Sequence, residues 1–115
     1  MANELPDDAR LRLRELREQF IVRMTGDAQK IRALAESMES DGTDNAVLAL
    51  GRLCHALCGT ASLFGFASVS DASALVQQAV REVPPDLGRI SRQSIFLADH
   101  ILHCAAAATG QGAGQ

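Results

Sequence analysis

The stretch Leu48-Ala49-Leu50-Gly51-Arg52-Leu53-Cys54-His55-Ala56-Leu57-Cys58-Gly59-Thr60-Ala61-Ser62-Leu63-Phe64-Gly65 decides how this chain folds. On a helical wheel at about 100° per residue, Leu50, Leu53, Cys54, Leu57, Ala61 and Phe64 fall on one broad apolar stripe. That stripe must face a core. His55 lies nearly opposite it and is expected to stand in water. The residues sharing its face are Leu48, Gly51, Arg52, Cys58, Gly59 and Ser62. Gly51 and Gly59 sit one turn before and one turn after the imidazole. Each mid-helix glycine costs about 1 kcal/mol relative to alanine. Two of them around one histidine give a bare groove that a partner's backbone or a bulky group can approach. Gly51 also admits a plainer reading, close packing of a neighbouring helix. Leu48 adds apolar surface to the exposed face, as a docking patch would.

Working outward, the other segments share the helical period. Leu13, Leu16, Phe20 and Met24 recur at helical spacing, and so do Ala28, Ile31, Leu34, Ala35 and Met38. Thr25-Gly26-Asp27 either interrupts this run or lies within it. Asp41-Gly42 is a turn, and Thr43 or Asp44 caps a helix over about 45–64. Gly65 ends or interrupts that helix. Ser68 or Ser70 is then expected to cap a shorter helix over 71–83, with Ala72, Leu75, Val76, Ala79 and Val80 inward. Pro84-Pro85 stops it. Asp86 caps a last helix whose inward residues are Ile90, Phe96, Leu97, Ile101 and Leu102. No segment alternates with period two. The expected fold is all-α: an antiparallel four-helix bundle with an additional N-terminal helical segment. Residues 1–8 read as an N-terminal extension, 9–108 as the bundle and 109–115 as a flexible tail.

Bulk composition limits the function classes. The 115 residues suffice for one domain. With four Phe and no Tyr or Trp, the core is aliphatic. The net charge of −3 argues against nucleic acid, which needs a basic stripe. No apolar run reaches the roughly 18 residues of a membrane span, and the acidic start Met1-Ala2-Asn3-Glu4 lacks a signal-peptide layout. A cytoplasmic location is expected. Three cysteines are a poor disulfide framework and read as free thiols. His100, His103 and Cys104 cluster on the last helix, yet no second pair stands at metal-site spacing, so no metal is expected. Arg10, Arg12 and Arg14 precede acids and read as a solvated helix face.

An exposed imidazole, with an ordinary pKa of about 6.5, is a competent nucleophile near neutral pH. The segment His55-Ala56-Leu57-Cys58-Gly59-Thr60-Ala61-Ser62-Leu63-Phe64-Gly65 resembles the signature of histidine-containing phosphotransfer domains, roughly His-x-Leu-Lys-Gly-Ser/Thr-Ala/Ser-x-x-x-Gly. The positions that agree are His55, Leu57, Gly59, Thr60, Ala61 and Gly65, and the flanking helices agree over about residues 10–105. The resemblance implies a phosphorelay intermediate: His55 takes a phosphoryl group from a receiver-domain aspartate and passes it to another receiver. The partners it implies are receiver domains of response regulators or hybrid sensor kinases. It implies no cofactor in this chain, Mg²⁺ being held by the receiver, and a phosphocarrier without its own nucleotide site, expected to work as a monomer away from membranes. Cys58 departs from the family's lysine, and Arg52, one turn before His55, is the nearest substitute cation. Two other classes compete. An autokinase dimerisation hairpin would carry an acidic residue after the histidine and a proline nearby, whereas Ala56 follows here. A non-phosphorylated interaction bundle would use the same face to bind receiver or kinase domains.

Overall fold

A computed structural model describes residues 6–39 and 43–110. It contains four α-helices: α1 (Asp7–Glu36), α2 (Thr43–Leu63), α3 (Ala67–Val80) and α4 (Leu87–Thr109), with a short 3₁₀ turn at Ser37–Glu39 after α1. Among the described residues there is no strand. The expected turn at Asp41-Gly42, residues 1–5 of the extension and residues 111–115 of the tail lie outside the described residues.

The first two helical runs form one continuous helix of 30 residues. Gly26 lies within it, where a Cβ would meet nothing within 4 Å, and the preceding Thr25 hydroxyl donates to the Ile21 carbonyl at 2.8 Å. The acids Asp7 and Asp8 occupy the first turn, where the helix dipole favours negative charge. The N-terminal helical segment is the first part of α1 itself: from Asp7 to Gln19 no residue is buried. Phe20, Ile21, Met24, Ala28, Ile31 and Ala35 then enter the core.

Helix α2 buries Ala46, Leu50, Cys54, Leu57 and Ala61, with Leu53 and Phe64 packed against the core edge. By length and composition it is the one helix among the described residues able to cross a bilayer. Here its apolar side is the bundle core. Gly65 ends it at a φ of 88°, a left-handed conformation that glycine adopts without strain. The Phe66 amide donates to the Ala61 carbonyl at 2.9 Å and the Gly65 amide to Ser62 at 3.2 Å, the paired bonds of a Schellman turn.

That turn corrects the reading of α3. The helix begins at Ala67, not 71, and neither Ser68 nor Ser70 caps it. Phe66, drawn into the core by the turn, precedes it instead. Ser70 lies inside the helix and its hydroxyl donates to the Cys58 carbonyl on α2. The buried stripe runs through Val69, Ala72, Ser73, Val76 and Ala79. Leu75, expected inward, is 48 % exposed because Val69 and Ser73 rotate the buried face away from it. A similar correction applies to α4. Phe96 and Leu102 are 61 % and 40 % exposed, since the stripe is Ile90, Ser94, Leu97, Ala98, Ile101 and Ala105. Small residues on that stripe let the helices approach.

Neighbouring helices run antiparallel. Cys58 meets Ser70 and His55 meets Gln77 across α2 and α3. Arg32 pairs with Asp99 and the Ser91 hydroxyl reaches the Ala35 carbonyl across α1 and α4. Packing is most extensive between α2 and α3 and between α1 and α4. Asp86 caps α4 as expected: its Oδ1 accepts from the Arg89 amide at 3.0 Å. Replacing Asp86 with alanine leaves that amide without its side-chain acceptor and is expected to cost about 1 kcal/mol. The check is thermal unfolding, where a midpoint drop of about 4–8 °C is expected for a domain of this size.

Candidate functional site

The helical phase of α2 places His55 on the outer side, and the residue is exposed. Beside it, α2 and α3 enclose an open groove of about 650 Å³. Val47, Leu48 and Val80 give it an apolar lining, and Asp44, Arg52, Gln77 and Arg81 are on its wall with His55. Among the described residues no ion pair engages Arg52 or Arg81. The Gln77 side-chain amide lies 3.1 Å from His55 Nδ1. The atom facing Nδ1 is the amide nitrogen, a donor, so Nδ1 accepts and the exposed Nε2 carries the ring proton.

The sequence-derived residues divide into two groups. Leu48, Gly51 and Arg52 join His55 in the groove. A Cβ on Gly51 would lie 3.5 Å from Val80 Cγ2, an ordinary contact, so this glycine faces α3 without close packing demanding it. Gly59 is exposed and a Cβ there would meet nothing within 4 Å; with exposed Ser62 it leaves the other side of the ring open. Cys58 is half-buried and turned toward α3, its Sγ 3.6 Å from the Ser70 hydroxyl. It does not line the groove. All three cysteines are free. Burial, with the nearby Cys58 thiol adding to it, pushes the Cys54 thiol up to about 12, so it stays protonated and inert near neutral pH.

Gln77, Val80 and Arg81 were missed by sequence reasoning. The signal that finds them is the Gly65 turn. Residues about equally distant from it along α2 and α3 face one another, which brings the end of α3 beside His55. Ser70 and Gln77 are two turns apart on the side of α3 that faces α2, and both reach across.

The sequence matches the family described as Hpt domain over residues 15–108. The chain belongs to the Hpt domain family. No curated protein and no solved structure matches it. Hpt domains are phosphocarrier modules of two-component phosphorelays, and they interact with receiver domains of response regulators or with kinases. The all-helical bundle is the architecture of an Hpt domain. In this Hpt domain the exposed histidine lies between the open face at Gly59 and a groove lined by Arg52 and Arg81.

Proposed function

We propose that His55 is the phosphoryl acceptor of a relay, loaded by a receiver-domain aspartyl phosphate and unloaded onto a second receiver. The observation that carries this reading is the exposed imidazole whose Nδ1 is held by Gln77 while Nε2 stays open. The Gln77 amide nitrogen donates to Nδ1, which leaves the ring proton on Nε2; a half-turn of the Gln77 amide presents its oxygen instead, so that Nδ1–H donates and Nε2 gains the lone pair. Nε2 attacks phosphorus in line. The N–P bond forms as the P–O bond to the aspartate breaks, and the carboxylate leaves. The reverse step discharges the group to the next aspartate. Such transfers depend on positioning and charge neutralisation more than on covalent chemistry by the acceptor.

Arg52 and Arg81 supply positive charge toward the phosphoryl oxygens, in the role the family's lysine fills at the position of Cys58. Leu48, Val47 and Val80 give the receiver an apolar seat, with Gly51 and Gly59 keeping bulk away from the ring and Ser62 at the partner's edge. The transfer requires no cofactor of this chain; Mg²⁺ comes with the receiver. The module acts in the cytoplasm, as a monomer. Incubation with a phosphorylated receiver tests the reading. Acid-labile, base-stable label on this chain is the expected result, and failure with every receiver of the host, despite retained binding, leaves an interaction bundle instead.

Gly59→Glu probes the open face. Loss of a mid-helix glycine favours the helix by up to about 1 kcal/mol, yet a long charged side chain one turn from the ring obstructs and repels the incoming phosphoryl group. The variant is expected to melt no lower than wild type and to transfer at least about tenfold more slowly. Transfer at the wild-type rate would mean that this side of the imidazole is not the approach path.

A further inference from the structure

At the Gly65 end of the molecule, α1 runs on past its neighbours. Arg17 marks where the α2–α3 corner stops: its Nε donates to the Phe64 carbonyl at 3.1 Å, and its guanidinium lies 4.8 Å from the Phe66 ring centroid. On the other side, α4 ends at Thr109, which shares a cleft with Ile21, Val22 and Thr25. Residues 7–16 of α1 therefore overhang the described bundle, by about 15 Å at 1.5 Å per residue. Leu13 is 49 % exposed there, and Arg10, Arg12 and Arg14 are exposed.

The side chains of this overhang are sorted by kind. Ala9 and Leu16 lie within about 60° of Leu13 on the helical wheel, and together they continue the phase of the buried Phe20. Arg10, Arg12, Arg14 and Arg17 all lie within about 100° of Leu13, on both flanks of that strip. Asp7, Asp8, Glu15 and Glu18 all lie at about 120° or more, on the back. The Arg12–Glu15 pair, at 3.6 Å, runs from a flank to the back and leaves the strip uncovered. A face that meets only water needs neither leucines at the core period nor arginines gathered around them. A helix this short is also marginal in water by itself, so contact along the strip would steady it.

We infer that this overhang docks an acidic amphipathic helix of a partner protein. The partner's apolar residues, at helical spacing, lie on Leu13 and Leu16. Its flanking carboxylates meet the guanidinium groups of Arg10, Arg12 and Arg14, a geometry suited to paired hydrogen bonds. Charge favours a helix over an anionic lipid surface. Residues 7–16 hold three arginines and three acids, so a broad surface, sensing every charge within about 8–10 Å, meets no net attraction. A helix laid on the strip touches the arginines and leaves the acids behind. The surface is also separate from the His55 groove: His55 stands about 13 Å along α2 from Phe64, and the overhang lies beyond Phe64. This inference is independent of any role of His55.

The test is fluorescence anisotropy of the full chain with a designed, fluorescein-labelled helical peptide of about three heptads, leucine on one face and glutamate on its flanks. One peptide per chain is expected to bind at low salt, with a Kd that rises as salt is added. The same peptide with lysine for each glutamate should not bind. Leu13→Glu should weaken binding by at least about tenfold, and so should Arg12→Glu/Arg14→Glu. The arginine variant changes only exposed side chains, so it keeps the test valid if Leu13→Glu folds poorly. Leu48→Glu and His55→Gln should bind as wild type. Absence of binding, equal binding of the lysine peptide, or binding that survives in Arg12→Glu/Arg14→Glu overturns the inference. So does Leu13-dependent sedimentation with phosphatidylglycerol vesicles, which would give the strip to lipid, or a Leu13-dependent dimer in ultracentrifugation, which would give it to a second copy.

Discussion

His55→Gln should accept no phosphoryl group from any phosphorylated receiver, while its melting temperature stays within about 2 °C of wild type. Both halves follow from the position of the side chain. The imidazole is exposed and contributes nothing to the core, and surface substitutions away from special features usually change stability by less than about 0.5 kcal/mol. The glutamine amide approximates the ring's size and can keep a hydrogen bond to Gln77. It has no nucleophilic lone pair on nitrogen, because that pair is delocalised into the carbonyl. Label should therefore vanish, while receiver binding by Leu48, Arg52 and the rest of the groove persists. The measurement is transfer from a radiolabelled receiver, with binding and melting followed on the same variant. Residual acid-labile label on His55→Gln would move the acceptor to His100 or His103.

Removing both groove arginines should be the next largest effect. In Arg52→Ala/Arg81→Ala, no cation remains on the groove wall among the described residues, and the other charged residue there is Asp44. The position that carries lysine in the family holds Cys58 here, and its thiol is turned to Ser70. The neutralising charge must then come from one turn before the histidine and from the end of α3. Removal of one preorganised donor from an enclosed site costs about 10²–10³ in rate, and these exposed groups should each be worth less. We expect roughly a 10²-fold slower transfer for the double variant, about tenfold for each single one, and partial recovery with lysine. Stopped-flow or quenched-flow transfer kinetics measure this at fixed ionic strength, because exposed charges are salt-screened. A double variant that transfers at the wild-type rate would assign charge neutralisation to the receiver alone.

These expectations divide sharply by origin. The orientation of His55 was legible because it depends only on the 3.6-residue period. Leu50, Cys54, Leu57 and Ala61 must share a face, and His55 must oppose it, whatever surrounds the helix. Helix ends at Gly65 and Asp86 were legible for the same local reason: a left-handed residue stops a helix and a carboxylate caps one. The start of α3 was not. Ser68 and Ser70 carry the local signature of caps, but the Schellman turn pulled Phe66 into the core and set Ser70 against Cys58. Tertiary contact outweighed a preference worth about 1 kcal/mol.

What the chain's order of residues determined by itself is an all-helical bundle displaying one histidine between two glycines, because periodicity and capping act over a few residues. What only the folded molecule decided is the company each exposed side chain keeps. Gln77 beside His55, Arg81 on the wall of the same groove, Ser68 beside His100 and Cys104, and Phe96 outside the core all depend on how two helices are rotated against each other. That rotation is set by where small residues such as Ser73, Ser94 and Ala98 let backbones approach, a property of pairs of faces that no single helix encodes.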